Sequence, residues 1–428
     1  MAERERRDFL IVGAGPAGLA AAREAARAGV DTCVVDLQSR AGGRHAHDPL
    51  TLELVADIQA AGIEVRLDTR AWGMWGTTVA TCPSEGHDRR IQARYILLST
   101  GARKRRVVFS GWQLPGVTTC SDDVHGRILL TGNGPGLAAR ARELHRRGMD
   151  LRALVQASAS PSDRSIAEDL RRRGVHIYDG HLLVRAEGSD RLEQAIVARV
   201  DADWRVQPDT ECALDVDAIV LDYGEVPSSE MSRLCGCAHV RSEADSLAPR
   251  HDDWMHTDLP GVLVAGDVAG VRGPTIAAEQ GRLAGIAVAL ALESLTLASA
   301  ERLASEVRDR LDRLTLEHEQ AWSDYRVGRG MFDLARPDTV VCHCENVTAA
   351  EIEGAVIGAS PDAAPVRAET RAGMGICQAR DCARQIEALV ARACGVPFEA
   401  ISPLSVRPPV VPIPLGAIAE RPVERAQV

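Results

Sequence analysis

The sequence predicts an α/β chain in which two βαβ units of the doubly wound kind precede a small cysteine-rich unit. Three observations carry this. A buried-strand pattern runs into Gly13-Ala14-Gly15-Pro16-Ala17-Gly18. A second strand runs into Gly132-Asn133-Gly134-Pro135-Gly136-Leu137. Five of the eleven cysteines fall after residue 340. At about 150 residues per domain, 428 residues suggest two to three domains with ample core.

Composition removes several classes. Fifty basic against sixty acidic side chains give a net charge of −10, so no overall field draws nucleic acid or acidic lipid. The longest apolar stretch, Ala284 to Leu292, is far short of the ~20 residues that span a bilayer. The start, MAERERRDFLIVG, runs from charges straight into a strand without an apolar h-region. No export signal is expected, and the location reads as cytoplasmic, free or peripheral to the inner face of the membrane. Lys104 is the sole lysine and lies in no phosphate-binding or Schiff-base context, which argues against pyridoxal enzymes and P-loop NTPases. Grouped cysteines in a chain without a signal point to metal binding or reactivity rather than structural disulfides.

The first unit is complete. Phe9 to Val12 reads as a buried strand, an Ala-rich helix runs to about Ala28 with Gly29 as its stop, and Asp31 to Val35 is a second strand ending at Asp36. Gly13 permits the tight turn, Gly15 lets the backbone approach a pyrophosphate, and Gly18 allows close helix–strand packing. The phosphates would sit on the helix N-terminus, around Pro16 and Ala17, where free N–H groups favour anions. Asp36 stands where a carboxylate takes the ribose hydroxyls.

Further segments resemble the glutathione-reductase-like flavoproteins with two dinucleotide-binding domains. Gly42-Gly43-Arg44 follows the second strand. Tyr95 to Ala102 (YILLSTGA) ends in Thr100-Gly101-Ala102, and Val262 to Val268 (VLVAGDV) contains Gly266-Asp267. Pro274-Thr275 then opens a helix aimed at the flavin ring. The resemblance implies FAD, with the Asp267 carboxylate on the ribityl chain.

The second unit looks degraded. The third glycine position holds Leu137, whose side chain would keep the helix off the strand. The next strand, Leu151 to Val155, ends at Gln156-Ala157-Ser158, with no acid for a ribose diol and no arginine for a 2′-phosphate. NAD(P)H use is not expected; the unit is a structural relic or holds another adenine nucleotide. No C-x-x-C lies beside the flavin segments, which argues against a disulfide reductase. Cys235-Gly236-Cys237 reads as a buried small-residue turn.

Cys342-His343-Cys344, then 32 residues, then Cys377 and Cys382 supply two close thiol pairs far apart in sequence. That suits a four-thiolate site, zinc or [2Fe-2S]; spacing alone leaves both open, and a flavin's company favours iron. A short strand, Thr339 to Val341, precedes the first pair. Thr348 caps a helix running to Ile357, and a glycine-rich loop, Gly373-Met374-Gly375, leads to the second pair.

These motifs together resemble one family. Val341-Cys342-His343-Cys344-Glu345 and Thr370-Arg371-Ala372-Gly373-Met374-Gly375-x-Cys377-Gln378-x-Arg380-x-Cys382 are similar to the bacterioferritin-associated-ferredoxin-like [2Fe-2S] domain. That domain is appended to the FAD subunit of heteromeric opine oxidases, dye-linked proline and hydroxyproline dehydrogenases, and hydrogen cyanide synthase. Ser99 to Ala102 and Phe109 to Val117 (FSGWQLPGV) also look like that family. Departures are Arg44 in place of glutamine, Asp222-Tyr223-Gly224 in place of Gly-Tyr-Gly, and the basic run Arg103-Lys104-Arg105-Arg106.

The resemblance implies an oxidoreductase subunit in a hetero-oligomer. Substrate is oxidised on a catalytic FAD-containing amine or amino-acid oxidase-type partner, and electrons pass through the [2Fe-2S] cluster and FAD of this chain to an acceptor. It also implies FMN at a subunit interface and a small third ferredoxin-like subunit, and no catalytic acid or base in this chain. Competing readings are an NAD(P)H-dependent ferredoxin-type reductase and a non-enzymatic iron–sulfur binding or assembly module.

The expected organisation is the first flavin half at 1–120, the degenerate Rossmann insertion at 121–225 and the second flavin half at 226–297. A helical connector at 298–335, the cluster domain at 336–396 and an extended tail at 397–428 follow. The connector helix, Ala298 to Tyr325, places Leu303, Val307, Leu311, Leu314, His318, Trp322 and Tyr325 on one face. Arg103 to Arg106 reads as a solvated charge cluster, His45 and His47 as ordinary loop residues, and the tail as wrapping a neighbouring subunit or domain.

Overall fold

A strand that is apolar at every position belongs inside a parallel sheet covered on both faces. Phe9, Leu10 and Ile11 are fully buried in the strand Arg4–Val12, which pairs in parallel with Thr32–Val35 on one side and Arg89–Leu98 on the other. A computed structural model describes residues 4–122, 124–159, 164–241, 246–323, 325, 327–356, 358 and 360–418. Its first sheet has seven strands. Glu64–Arg66 extends the parallel side, and Thr69–Trp75 and Thr78–Pro83 form an antiparallel flank. Val262–Val264, more than 160 residues further along the chain, returns beside Arg89–Leu98. The first domain is therefore built from two separated pieces of chain.

The helices Pro16–Arg27 and Pro274–Ala291 pack closely because both carry small residues where they meet. A Cβ on Gly281 would stand 2.0 Å from the Ala17 carbonyl oxygen, and one on Gly285 would stand 2.6 Å from that of Ala21. The long helix Leu297–Trp322 buries Ala300, Ala304 and Val307 in the same core, with Leu303 and Leu311 at its margin. The buried stripe is thus turned toward the alanines relative to the leucine face expected from the sequence. Small side chains let the helix axes approach.

Between the two pieces of the first domain lies a five-stranded parallel sheet in the order His176–Asp179, Asp150–Gln156, Arg127–Gly132, Ala218–Asp222, Val117–Thr118. The antiparallel strands His181–Glu187, Gln194–Arg199 and Cys212–Asp215 stand beside it. The cysteine-rich unit opens on the short hairpin Val340–Cys342 and Val347–Thr348. Its helix Ala349–Gly354 starts in a full capping box between Thr348 and Glu351, and Ile357 lies outside the described residues. Within the tail, Phe398–Ala400 and Leu415–Ile418 are short helical turns. Val410 is buried against Met74 and Val79, and its N–H donates to the Trp72 carbonyl at 2.8 Å. This part of the tail covers the chain's own first domain; residues 419–428 lie outside the described residues.

Candidate functional site

The first glycine turn forms one wall of a cleft of about 630 Å³, within the range of cofactor pockets. Gly13 sits at φ +115°, and a Cβ there would lie 2.2 Å from the Ser99 carbonyl oxygen. Ser99 in turn donates its hydroxyl to the Val12 and Gly13 carbonyls at 3.1 and 2.9 Å, joining the two strand ends under the turn. Nothing lies within 4 Å of the space a Cβ would take on Gly15 or Gly101, so both present bare backbone. Gly15 is the N-cap of the helix Pro16–Arg27 and supplies no capping side chain, which leaves that end's N–H groups open to an anion.

Asp36 accepts from the Ala14 and Gln38 N–H groups at 2.5 and 2.7 Å and keeps further lone pairs for hydroxyl donors. Burial pushes its carboxyl up, partly offset by these two hydrogen bonds. Asp267 is 7% exposed and accepts from the Arg272 and Gly273 N–H groups, both at 3.1 Å. Arg44 reaches it at 3.0 Å and also pairs with Glu225. The arginine that departs from the family pattern therefore ties the second-strand loop to the second flavin half.

Gly13, Gly15, Pro16, Ala17, Asp36, Gly43, Arg44, Thr100, Gly101, Ala102, Gly266 and Asp267 all line the cleft. Gly18 and Thr275 lie behind it. Gly18 is a packing position, since a Cβ there would be 1.9 Å from the Gly13 carbonyl oxygen. Thr275 is in the first turn of Pro274–Ala291 and half-buried. His45 also lines the cleft. Sequence reasoning missed Thr69 to Ala71, Ser228, Met231, Arg380, Val410 and Val411, which come from separated segments of the chain. Only Arg380 stood inside a recognised motif. Bare glycine backbone at a helix N-terminus, a half-buried acid at the end of the second strand and a cleft of cofactor size fit FAD.

The basic run is not a free solvated cluster: each member has a partner, although Arg106 remains exposed. Arg103 pairs with Glu230 at 2.8 Å, and Lys104 pairs with Asp222 and Glu225 at 2.9 and 3.2 Å. Arg105 is 5% exposed and donates to the Ser246 hydroxyl, and Arg106 stands 3.6 Å from Asp381. The partners come from the far half of the chain, so local charge patterning could not reveal them.

The four cysteines predicted to bind metal meet in space. Cys382 touches both Cys342 and Cys377, and Cys377 touches Cys344. Among the described residues no group of three or more His, Cys, Asp or Glu side chains is arranged to hold a single metal ion. Arg371, at φ +65°, ends the helix Ala364–Thr370 and turns the chain into the glycine loop. A Cβ on Gly375 would lie 2.3 Å from that of Cys344, so only glycine fits beside the sulfur. The Gly373 N–H donates to Cys342 at 3.3 Å. Cys342 is pulled down to about 6 and Cys377 to about 5, each chiefly by contact with the Cys382 thiol, while the same contacts push Cys382 up. Thiols poised to ionise suit thiolate ligation.

This site packs against residues 106–113, which share a core with the second unit. Trp112 donates its indole N–H to the Val340 carbonyl at 2.7 Å and packs edge-on to His343. Arg106, Trp112 and Gln113 share a pocket of about 220 Å³ with the four cysteines.

The second glycine turn differs from the first. Its helix, Leu137–Arg146, begins three residues after Gly134, whereas the first begins directly after Gly15. The Trp322 ring lies over the turn, 3.3 Å from where a Gly134 Cβ would stand, and His318 stacks on it at 5.5 Å. Burial and Arg272 hold the His318 ring below its usual value. Stopped-flow mixing of the flavin-loaded chain with NADH or NADPH is therefore expected to leave the flavin oxidised; rapid bleaching would show that the turn admits nicotinamide nucleotides.

The pyridine nucleotide-disulphide oxidoreductase profile matches residues 7–291, and the BFD-like [2Fe-2S] binding domain profile matches 340–392. Hydrogen cyanide synthase subunit HcnB of Pseudomonas aeruginosa is 32% identical, over 95% of this chain and 97% of its own length. An opine oxidase subunit of Rhizobium meliloti is 28% identical, over 96% and 98%. L-proline dehydrogenase from P. horikoshii shares the fold, with a TM-score of 0.74 at 18% identity, covering 98% of this chain and 81% of that one. No described helix is long and apolar enough to cross a membrane. The first profile implies FAD binding and the second a [2Fe-2S] cluster. The chain belongs to the pyridine nucleotide-disulphide oxidoreductase family, in the branch of HcnB and its opine oxidase counterpart that carries a C-terminal [2Fe-2S] domain.

Proposed function

We propose that this chain is the electron-transferring subunit of a heteromeric FAD-dependent amine or amino-acid dehydrogenase. A partner flavoprotein oxidises an opine, proline-like or glycine-like substrate, and this chain relays the electrons to an external acceptor in the cytoplasm. One observation carries the reading. Arg380, between Cys377 and Cys382, lines the flavin cleft, and Arg103 on the cleft's other wall donates to the Arg380 carbonyl at 3.3 Å. The cluster loop and the flavin cleft thus share a partition one residue deep.

When bound, FAD exchanges electrons in pairs or singly, and a [2Fe-2S] cluster takes them singly. The chain's own residues hold the two groups in place. The glycine turn and helix N-terminus seat the pyrophosphate, Asp36 orients the adenosine ribose, and Arg44 fixes Asp267 toward the ribityl chain. Cys342 and Cys382 are buried while Cys344 is exposed, so the cluster site has an inner and an outer edge. FMN at the subunit interface and a small ferredoxin-like third subunit belong to the same reading.

The test is co-expression and co-purification with a candidate amine- or amino-acid-oxidase-type flavoprotein, followed by dye reduction with glycine, proline and opines. The complex is expected to be active and this chain alone inactive. Equal activity of the isolated chain would end the proposed division of labour.

A further inference from the structure

The turn Cys235-Gly236-Cys237 closes the short helix Glu230–Leu234 on the flavin domain, away from the cysteine quartet. Gly236 takes φ +90°, a conformation side-chain-bearing residues avoid, and nothing lies within 4 Å of the space its Cβ would fill. That turn swings both thiols to one side, with the sulfurs 3.5 Å apart. The backbone is pinned there. The Cys235 N–H donates to the Met231 carbonyl at 3.1 Å and the Cys237 N–H to the Ser232 carbonyl at 3.0 Å. His239 braces the turn with both ring nitrogens, Nδ1 at 2.7 Å from the Cys237 carbonyl and Nε2 at 2.9 Å from the Ser232 hydroxyl.

The two thiols differ. Cys235 is half-buried and Cys237 is 7% exposed, so a small reagent meets Cys235 first. The two sulfurs lie within hydrogen-bond distance of each other, and Cys235 also donates to the Ser232 carbonyl at 3.3 Å; the mutual contact pulls the Cys235 thiol down and pushes that of Cys237 up. One sulfur is thus set to attack and the other to resolve.

We propose that Cys235 and Cys237 form a reversible intramolecular disulfide, a two-electron redox site distinct from the flavin and the cluster. With hydrogen peroxide as oxidant, the Cys235 thiolate attacks one peroxide oxygen, the O–O bond breaks, and hydroxide leaves a sulfenic acid on Cys235. The Cys237 sulfur then attacks the Cys235 sulfur and the S–O bond breaks. The departing hydroxyl and the Cys237 proton form water, and hydroxide takes up the proton first lost from Cys235. Two thiols and one peroxide become one disulfide and two waters. The sulfurs need only close from 3.5 Å to about 2.05 Å, across a glycine with open space beside it. The same helix places Met231 on the flavin cleft, and Arg233 donates to the Leu404 carbonyl. Closing the ring therefore perturbs the cleft wall.

The experiment treats the full flavin-loaded chain with hydrogen peroxide, alkylates free thiols, digests it and maps the peptides. The peptide containing Cys235 and Cys237 is expected to escape alkylation, to weigh two hydrogens less, and to recover both thiols after dithiothreitol. In Cys237→Ser, dimedone is expected to label Cys235. Peroxide is expected to change the flavin fluorescence of the natural sequence and to leave that of Cys235→Ser unchanged. Full alkylation of both thiols after peroxide, or no dimedone adduct in Cys237→Ser, overturns the proposal.

Discussion

Replacing Cys382 by serine is expected to remove the iron while leaving the flavin bound. Cys382 is 1% exposed and is the sulfur that touches both Cys342 and Cys377, so it joins the two halves of the quartet. Serine keeps the size but replaces a soft thiolate with an alcohol that ionises only at very high pH. Losing a group that merely orients a ligand costs 10–100-fold in metal affinity, and losing the ligand itself costs more. Iron should fall from about two per chain to a small fraction of that. The signal of the reduced cluster in electron paramagnetic resonance should vanish with it. Dye reduction by the assembled complex should drop by at least roughly a hundredfold. The flavin site around Gly13 to Gly18 is built on a different core, so the flavin absorption should persist. A colourless, zinc-containing C-terminal domain in the natural sequence would contradict the assignment of iron.

Adding one methyl group at Gly18 is expected to cost the chain its flavin. The new Cβ would lie 1.9 Å from the Gly13 carbonyl oxygen and 2.8 Å from the Ser99 hydroxyl, where ordinary contact starts at 3.4 Å. The helix would have to retreat by about 1.5 Å, the difference between 1.9 and 3.4 Å. It cannot do so easily, because Gly281 and Gly285 hold the opposing helix hard against Ala17 and Ala21. Overpacking of this kind costs about 3 kcal/mol. In a domain of this size that lowers Tm by roughly 6–12 °C. Moving the turn also misplaces the N–H groups that seat the pyrophosphate. FAD content of Gly18→Ala after gel filtration should fall by about tenfold or more, since about 1.4 kcal/mol of the strain felt at the bound site is already a factor of ten in affinity. Full flavin content at unchanged Tm would refute the packing argument. The second unit shows the alternative: with Leu137 at the same position its helix simply starts later, and its turn is covered by Trp322.

What could be read in advance follows from the range of each interaction. The glycine turn, Asp36, the Ser99-to-Ala102 segment, Gly266-Asp267 and the two cysteine pairs are local constructions. Each needs a few consecutive residues with a given backbone freedom or side-chain chemistry, and spacing alone exposes them. The basic run could not be read this way. Lys104 meets Asp222 and Glu225, and Arg106 meets Asp381, across more than a hundred residues of chain. The connector helix was legible as amphipathic, but which face is buried depends on the alanines that fit the flavin-domain helices. The covering of the cleft by Val410 and Val411 carried no periodic signal, because an extended segment is held by whatever surface it crosses.

The sequence by itself showed one dinucleotide-type turn with all three glycines, a second with Leu137 in the third position, and two close cysteine pairs, and the family comparison agrees with FAD and [2Fe-2S]. Only the tertiary structure decided how these parts stand to one another. It put Arg380 in the flavin cleft, closed Trp322 over the second turn, and brought the thiols of Cys235 and Cys237 face to face. The reason is physical. Turn geometry and ligand chemistry are written in neighbouring residues, whereas the distance between two sites is set by how separate cores pack, and packing is a property of the whole chain.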